Sequence, residues 1–329
     1  MKRAVRVLAA AALLLGATLP SFASGVKKQP KEKGTIRILY WNIQMGMWAD
    51  QEAQYANFRK WIKSYDPDIC IWCECGSYKP SSGKGSIPKE DRYFPNGWKE
   101  FAKSYGHRYC AIGAVTDNFP QVVSSKYPLS TIQTLAETGT DRPVWHGAGH
   151  HRITIKGRTY DIVTTHPWPF AYSYENRKKS PARDSSAKAR DGEKYRAFEM
   201  SCILQKTICN PEFAGTEWIF AGDMNSISRK DNSQYGYAAD DIRFSTQDVI
   251  ANSTDLVDAV FEKNGGKFTP STAKGDRRID YVYLSPSLYK QVTDARIITE
   301  SWTPYRYTGI SNYWIPSDHL PIVVDLKLK

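Results

Sequence analysis

The sequence has no compositional extreme. Its hydrophobic share is 41% and its charged share 24%, with 22 Gly and 18 Pro in 329 residues, which excludes collagen-like and disordered chains. It has no internal repeat and no interdomain linker, so one large domain is expected. It lacks a zinc-finger pattern. Cys70, Cys73 and Cys75 are closely spaced, but "DICIWCECG" reads as a strand and no Cys/His pair at finger spacing answers it. Cys110, Cys202 and Cys209 complete the six. Cys202 and Cys209 sit seven apart on an expected helix and so share a face. Small buried residues are the expectation, rather than metal ligands or bridges.

The apolar run Val7 to Leu19 is too short to cross a bilayer. It holds about 13 residues where roughly 20 are needed. Lys2, Arg3 and Arg6 precede it and Pro20-Ser21-Phe22-Ala23 follow. That is a secretory signal pattern over residues 1–24, with cleavage near Ala23 and a secreted or periplasmic destination. No Cys follows the cleavage region, which argues against a lipid anchor. Residues 25–34 read as a polar tether and 35–329 as the folded domain. Loss of the leader lowers the formal charge from +11 to about +8, which favours encounters with anionic partners.

Strand and helix patterns alternate along the rest. "TIRILYWNI" (35–43) and "ICIWCE" (69–74) read as strands around a helix at 55–65, with Phe58, Trp61 and Ile62 on one side. "FPQVVSS" and "PLSTIQTL" bracket a turn at "KYP". "HHRITI" and "GRTYDIVTTH" read as a hairpin turning near Lys156-Gly157. Residues 191–208 carry the clearest amphipathic helix, with Ala197, Met200, Ile203, Leu204 and Ile208 as its stripe. "WIFAGDMN", "RRIDYVYLS", "ARIITES" and "LPIVVDLKL" are later strands.

Polar residues recur where these apolar runs end. Asn42 closes "YWN", Glu74 "IWCE", His166 "VTTH", and Asp223 with Asn225 "FAGDMN". Asp280 lies inside "RRIDYVYL", and Asp318-His319 opens the last strand. A carboxylate or imidazole beside a buried strand costs several kcal/mol unless paired or metal-bound. One such residue is ordinarily a satisfied core group. So many in one chain indicate catalytic groups on loops at strand ends.

The series "YWNIQ", "CEC", "TTHPW", "GDMNS", "RRIDYVYLS" and "SDHLPI" resembles the endonuclease/exonuclease/phosphatase superfamily, in family order and from about residue 35 to the C-terminus. A secreted, bacterial-type member is implied. The implied fold is α/β (α+β): a DNase I-like, four-layer α/β/β/α sandwich of two packed mixed β-sheets flanked by helices. Cys73 stands where the family usually has Gln before its Glu. The Arg or Glu that many members place before the central hairpin is not evident, and Arg142 and His146 are the candidates.

The resemblance implies hydrolysis of a phosphate ester. Glu74 would bind Mg²⁺ or Mn²⁺, with Asn42 and Asp318 completing the metal's surroundings. His319 would be the general base, held by Asp280. Asp223 would orient the water or protonate the leaving group, and Asn225 and His166 would donate to phosphoryl oxygens. In a strand, side chains two apart point the same way, so Asp223 and Asn225 are expected to face one phosphate while Met224 faces the core.

The substrate is less legible. Residues 168–190 mix Trp168, Phe170, Tyr172 and Tyr174 with Arg177, Lys178, Lys179, Arg183, Lys188 and Arg190, which suits a nucleic acid and almost equally a phosphoinositide. Trp168, Lys178, Lys179 and Arg183 are therefore substrate-binding candidates. A second aromatic stretch, 301–316, leads into Asp318. A monomeric phosphodiesterase or nuclease is expected. The alternatives are a phosphatase or phospholipase C-like enzyme on inositol phosphates, sugar phosphates or sphingomyelin, and an inactive phosphate-binding module. No long hydrophobic hairpin suggests stable membrane insertion.

Overall fold

The structure, a computed structural model, describes residues 28–94, 97–267, 271–273, 277–299 and 317–328. The expected signal segment 1–24 and the aromatic stretch 301–316 lie outside the described residues. The C-terminal part of the expected tether packs against the domain: the Gln29 amide donates to Ser64 O at 2.7 Å, and Lys31 pairs with Asp68 at 2.7 Å.

In chain order the strands are β1 (Ile36–Asn42), β2 (Ile69–Cys73), β3 (Tyr109–Ile112), β4 (Val122–Ser125), β5 (Leu129–Glu137), β6 (Pro143–Ile155), β7 (Arg158–Thr165), β8 (Trp218–Asp223), β9 (Val257–Asp258), β10 (Asp280–Leu284), β11 (Val292–Ile297) and β12 (Ile322–Leu326). They form two six-stranded sheets, ordered β11-β12-β1-β2-β4-β3 and β5-β6-β7-β8-β10-β9. The β6–β7 hairpin turns at Lys156 (φ 52°) and Gly157 (φ 80°), both left-handed as a two-residue turn requires.

Strand alternation builds the layers. Ile36, Ile38, Tyr40, Ile69 and Ile71 of one sheet interdigitate with Ile153, Ile162, Ile219, Ala221 and Val282 of the other. The opposite face of the first sheet, with Leu39, Trp41 and Trp72, buries itself against helices Ala56–Tyr65 and Gly97–Ser104. Val163, Phe220 and Tyr281 do the same on the second sheet against Met200, Ile203 and Leu204 of the helix Asp191–Lys206. The result is the four-layer α/β/β/α sandwich. Because strands are apolar on both faces, they read as near-continuous hydrophobic runs.

The turn at "KYP" falls where expected, at Lys126–Pro128, and the strands on either side of it belong to different sheets, so the chain changes layer there. Two local expectations are corrected. The helix at 191 stops at Lys206, leaving Cys209 exposed beyond it, so it shares no helix face with Cys202. Residues 168–190 are not all loop, since Ser180–Lys188 is a helix with a proline in its first turn, where the missing N–H costs nothing. All six cysteines are free thiols, and Cys70, Cys73, Cys75 and Cys202 are buried.

Candidate active site

The polar strand-end residues meet at one end of the sandwich because of strand direction. β1 and β2 run parallel, as do β7 and β8, so Asn42, Glu74, His166 and Asp223 sit at four carboxyl ends. β10 runs antiparallel to β8 and β12 to β1. Their amino ends, with Asp280 and His319, therefore come to the same place. Gly222 lets β7 and β8 approach there, since a Cβ on it would lie 2.2 Å from Thr165 O.

Asp280 and Asp223 are directly opposed in the β8–β10 ladder, and both are buried. Like charges in facing positions repel, and His319 stands between them. Its Nδ1 is 2.8 Å from Asp280 Oδ2, and its Nε2 is 3.7 Å from Asp223 Oδ2. Asp280 Oδ1 accepts the Tyr40 hydroxyl across the sandwich at 2.7 Å, and its own amide donates to Thr272 Oγ1 at 3.1 Å. The His319 backbone is fixed by Trp41 Nε1, which donates to its carbonyl at 3.0 Å, and by Ser317 Oγ, which accepts its amide at 3.1 Å.

Asn42 joins the two sheets. Its Nδ2 donates to Glu74 Oε1 at 3.1 Å and to Asp223 Oδ2 at 3.0 Å, while its Oδ1 accepts the Gln44 amide. Glu74 Oε2 accepts the Met45 amide at 3.0 Å. Gln44, Met45, Glu74 and Asn225 all hold left-handed backbone. Each such residue costs about 1–3 kcal/mol and persists where its surroundings over-determine it. Here those side-chain-to-amide bonds do so.

The period-two account of Asp223 and Asn225 does not hold. β8 ends at Asp223, and Asn225 has φ 48°. Instead an Asx turn links the two residues, in which Asp223 Oδ1 accepts the Asn225 backbone amide at 2.9 Å, while Asn225 Nδ2 donates to Pro167 O at 3.2 Å. Met224 does face the core.

The electrostatics follow from this crowding. Burial, then the Asp280 charge, pushes Asp223 up to about 7. Burial, then Asp318, also raises Glu74. Burial opposes charge on His319, but Asp280 and Asp223 overcome it and hold the imidazole well above its ordinary value. Burial, with His146 and His319 nearby, drives His166 well below it. His166 is thus a neutral imidazole 3.5 Å from Asp223.

A divalent cation fits this donor set. Ligand atoms of Glu74, His166 and Asp223 lie within 4.8 Å of one another, as do those of Asp223, Asp280 and His319. Two carboxylates raised by burial and then by neighbouring negative charge, Glu74 and Asp223, are groups that a hard cation would relieve. Asn42 turns its amino group, not its oxygen, to both. Asp318 keeps a side chain 41% exposed, with its carboxylate 4.0 Å from His319.

The remaining candidates separate. His146 is at the site, its ring 4.3 Å from that of His166 and its Nδ1 2.5 Å from Asp117 Oδ2. Arg142 is instead paired with Glu175 at 2.7 Å and lies over Tyr195 and Phe198. Trp168 is not a contact residue, being 1% exposed within a cluster with Trp145, Tyr172, Tyr174 and Tyr195. Lys178, Lys179 and Arg183 are exposed. Tyr40, Thr272 and Asp117 went unnoticed in the sequence. Tyr40 carries a signal in hindsight, a hydroxyl on the core-facing register of β1.

The family described as Endonuclease/Exonuclease/phosphatase matches residues 39–319. A curated plant relative, "Carbon catabolite repressor protein 4 homolog 4" of Arabidopsis thaliana, is 28% identical over 128 residues, 38% of this chain and 30% of the plant protein. Among solved structures, an AP endonuclease from Archaeoglobus fulgidus superposes with a TM-score of 0.57 at 14% identity, covering 89% of this chain and all of that one. The human Nocturnin catalytic domain with bound sulfate gives 0.56 at 16%, covering 88% and 92%. A 3′ phosphatase from Neisseria bound to product DNA hairpin gives 0.54 at 12%, covering 89% and 100%.

Proposed function

Because the chain belongs to the Endonuclease/Exonuclease/phosphatase family, we propose that it is a divalent-metal-dependent phosphodiesterase whose preferred substrate is nucleic acid. Family membership makes it a phosphoric ester hydrolase. The diester preference, the metal and the cellular setting belong to the proposal.

The observation that carries the reading is the line Asp280–His319–Asp223 beside Glu74. Ester hydrolysis needs an oriented water, charge neutralisation on the phosphoryl oxygens and a proton for the leaving oxygen. In its neutral form His319 takes the water's proton at Nε2, because Nδ1 is committed to Asp280, and the two carboxylates beside it favour that uptake. Asp280 stabilises the resulting imidazolium and fixes the tautomer. Asp223, titrating near 7, exchanges a proton at the leaving oxygen. His166 and Asn225 donate to the phosphoryl oxygens, Asn225 with the amide hydrogen not given to Pro167. Glu74 and Asp318 would hold Mg²⁺ or Mn²⁺, which would neutralise charge on those oxygens.

The nucleic-acid preference is supported by the net positive charge and by the cations of residues 177–190. The archaeal neighbour is named an AP endonuclease, and the Neisseria neighbour is named as bound to a product DNA hairpin. The same Neisseria name favours a phosphatase as second reading. Export through residues 1–24 is part of the proposal, and N-terminal sequencing of the protein recovered outside the cytoplasm tests it.

The test of function is a panel of plasmid DNA, RNA, inositol phosphates, sphingomyelin and bis-p-nitrophenyl phosphate, each with Mg²⁺ and with EDTA. Diester cleavage abolished by EDTA is expected. Turnover of monoesters alone, or turnover indifferent to EDTA, would contradict the proposal.

A further inference from the structure

A chain of ring contacts leads from the site to the surface. His166 meets His146 at 4.3 Å, His146 meets Trp145 at 6.1 Å, and Trp145 meets Trp168 at 4.7 Å. Trp168 packs edge-on to Phe170 at 5.1 Å. Phe170 then stacks on Tyr172 at 4.8 Å with an interplanar angle of 11°, and the Arg183 guanidinium lies over Tyr172 at 4.0 Å. His166, His146, Trp168 and Tyr172 are buried and Trp145 is half-buried, whereas Phe170 is 40% exposed. A phenyl ring held by Trp168 and Tyr172 yet open to water is a preorganised stacking face.

The charge around it is one-sided. Residues 170–188 contain Arg177, Lys178, Lys179, Arg183 and Lys188 against Glu175 and Asp184. Glu175 is already paired with Arg142. Lys178 and Lys179 are exposed at the start of the helix Ser180–Lys188, so their ammonium groups are available to a polyanion.

We infer that this face docks an unpaired flank of a nucleic-acid strand, one base stacking on Phe170 and the adjoining phosphates pairing with Lys178 and Lys179. The inference rests on the nuclease reading and narrows it to single-stranded substrate. Stacking on an aromatic ring is indifferent to base identity but requires an unpaired base. Cations beside a flat, partly exposed ring match that chemistry better than a lipid surface, which rewards several apolar groups inserted together.

The test uses the mature chain and a labelled oligothymidylate about twelve nucleotides long, a length spanning a typical single-strand site. Binding is followed by fluorescence anisotropy in EDTA across a salt series. Phe170→Ala is expected to weaken binding about five- to tenfold on the single strand and to leave duplex binding unaffected. The double variant Lys178→Ala/Lys179→Ala should flatten the salt slope by about one to one and a half, near 0.7 per lost phosphate contact. The ratio of kcat/KM on the oligonucleotide to that on bis-p-nitrophenyl phosphate should fall in both. Wild-type cleavage of the oligonucleotide with unaltered binding by these variants would overturn the platform and leave the nuclease reading standing. Wild type that turns over bis-p-nitrophenyl phosphate but neither binds nor cleaves the oligonucleotide would overturn both. Binding to phosphatidylserine vesicles that Phe170→Ala abolishes, with oligonucleotide binding intact, would assign the face to a membrane surface and overturn the inference.

Discussion

The Asp280 carboxylate accepts a hydrogen bond from His319 Nδ1 at 2.8 Å, and its second oxygen is held by Tyr40 at 2.7 Å. Both carboxylate oxygens are thereby engaged, and both partners come from the opposite sheet, Tyr40 on β1 and His319 at the entry to β12. The imidazole cannot turn without breaking a buried charge-assisted bond, which is worth roughly 1.5–3 kcal/mol. His319 Nε2 is left facing Asp223. The two sheets thus meet chemically as well as sterically at this end.

Glu74→Gln keeps the shape of the side chain but removes one anionic oxygen from the Glu74/Asp223 cluster. Mg²⁺ affinity measured by isothermal titration should fall by at least tenfold, with the unfolding midpoint in EDTA unchanged or raised, since a crowded negative charge is gone. Unaltered Mg²⁺ affinity would remove Glu74 from the cation site.

Trp168→Ala should act on stability first. The ring is fully buried, its Nε1 donates to Tyr172 O at 2.6 Å, and its carbonyl accepts from Arg196. Loss of a buried indole costs about 3–5 kcal/mol. Urea unfolding of the purified variant checks this, and a loss under about 1 kcal/mol, the scale of ordinary surface changes, would mean that the cluster repacks around the gap.

Much of this architecture was legible because both sheets are covered on both faces, which makes the strands near-continuous apolar runs and makes any polar residue at their ends conspicuous. Asn42, Glu74, His166, Asp223, Asp280 and His319 were visible for that reason. Asn225 was identified on a wrong geometric argument. Strand periodicity fails after Asp223, because an Asx turn and a left-handed residue take over, and a local hydrogen bond has no periodic signature. Trp168 was misassigned because an aromatic among cations reads alike whether it faces solvent or a helix, and the packing of the helix Asp191–Lys206 decided it. The partition of β4 and β5 between sheets depends on long-range pairing that no short stretch encodes. Asp117 sits in the short stretch "TDNF", which signals a turn and nothing about the histidine it will meet.

Stability should fall in acid through buried histidines remote from the site. His107 binds Pro67 O through Nε2 and Ser124 Oγ through Nδ1, both at 2.9 Å, and burial holds it down to about 4. His151 is likewise held to about 4 by burial. Each is neutral in the fold but takes up a proton below about 6.5 when unfolded. Their contribution is therefore complete above that pH and is lost as pH drops towards 4, at about 1.4 kcal/mol per unit per group. The unfolding free energy of His107→Gln should show a shallower decline between those limits than wild type. Parallel pH profiles would contradict the buried-neutral assignment.

Arg278 lies wholly buried between Asp231 and Asp258, at 2.8 and 2.7 Å, two residues before Asp280. Arg278→Met leaves two buried carboxylates without their shared cation. Such a break costs about 3–5 kcal/mol, and chemical denaturation should report it. A near-neutral effect would mean that Asp231 and Asp258 find other partners or protonate freely.

The central claim is that Asp280 and His319 act as one unit on the attacking water. A double-mutant cycle in kcat on bis-p-nitrophenyl phosphate, at saturating Mg²⁺, tests it most directly. Asp280→Asn preserves volume but favours the wrong tautomer, and it should lower kcat by about 10³–10⁴-fold. His319→Ala should lower it to a similar degree. The double variant should then be little worse than either single one, because members of a catalytic unit are strongly non-additive. Two losses that multiply, or an Asp280→Asn variant retaining near-wild-type kcat, would show that the pair does not activate the water.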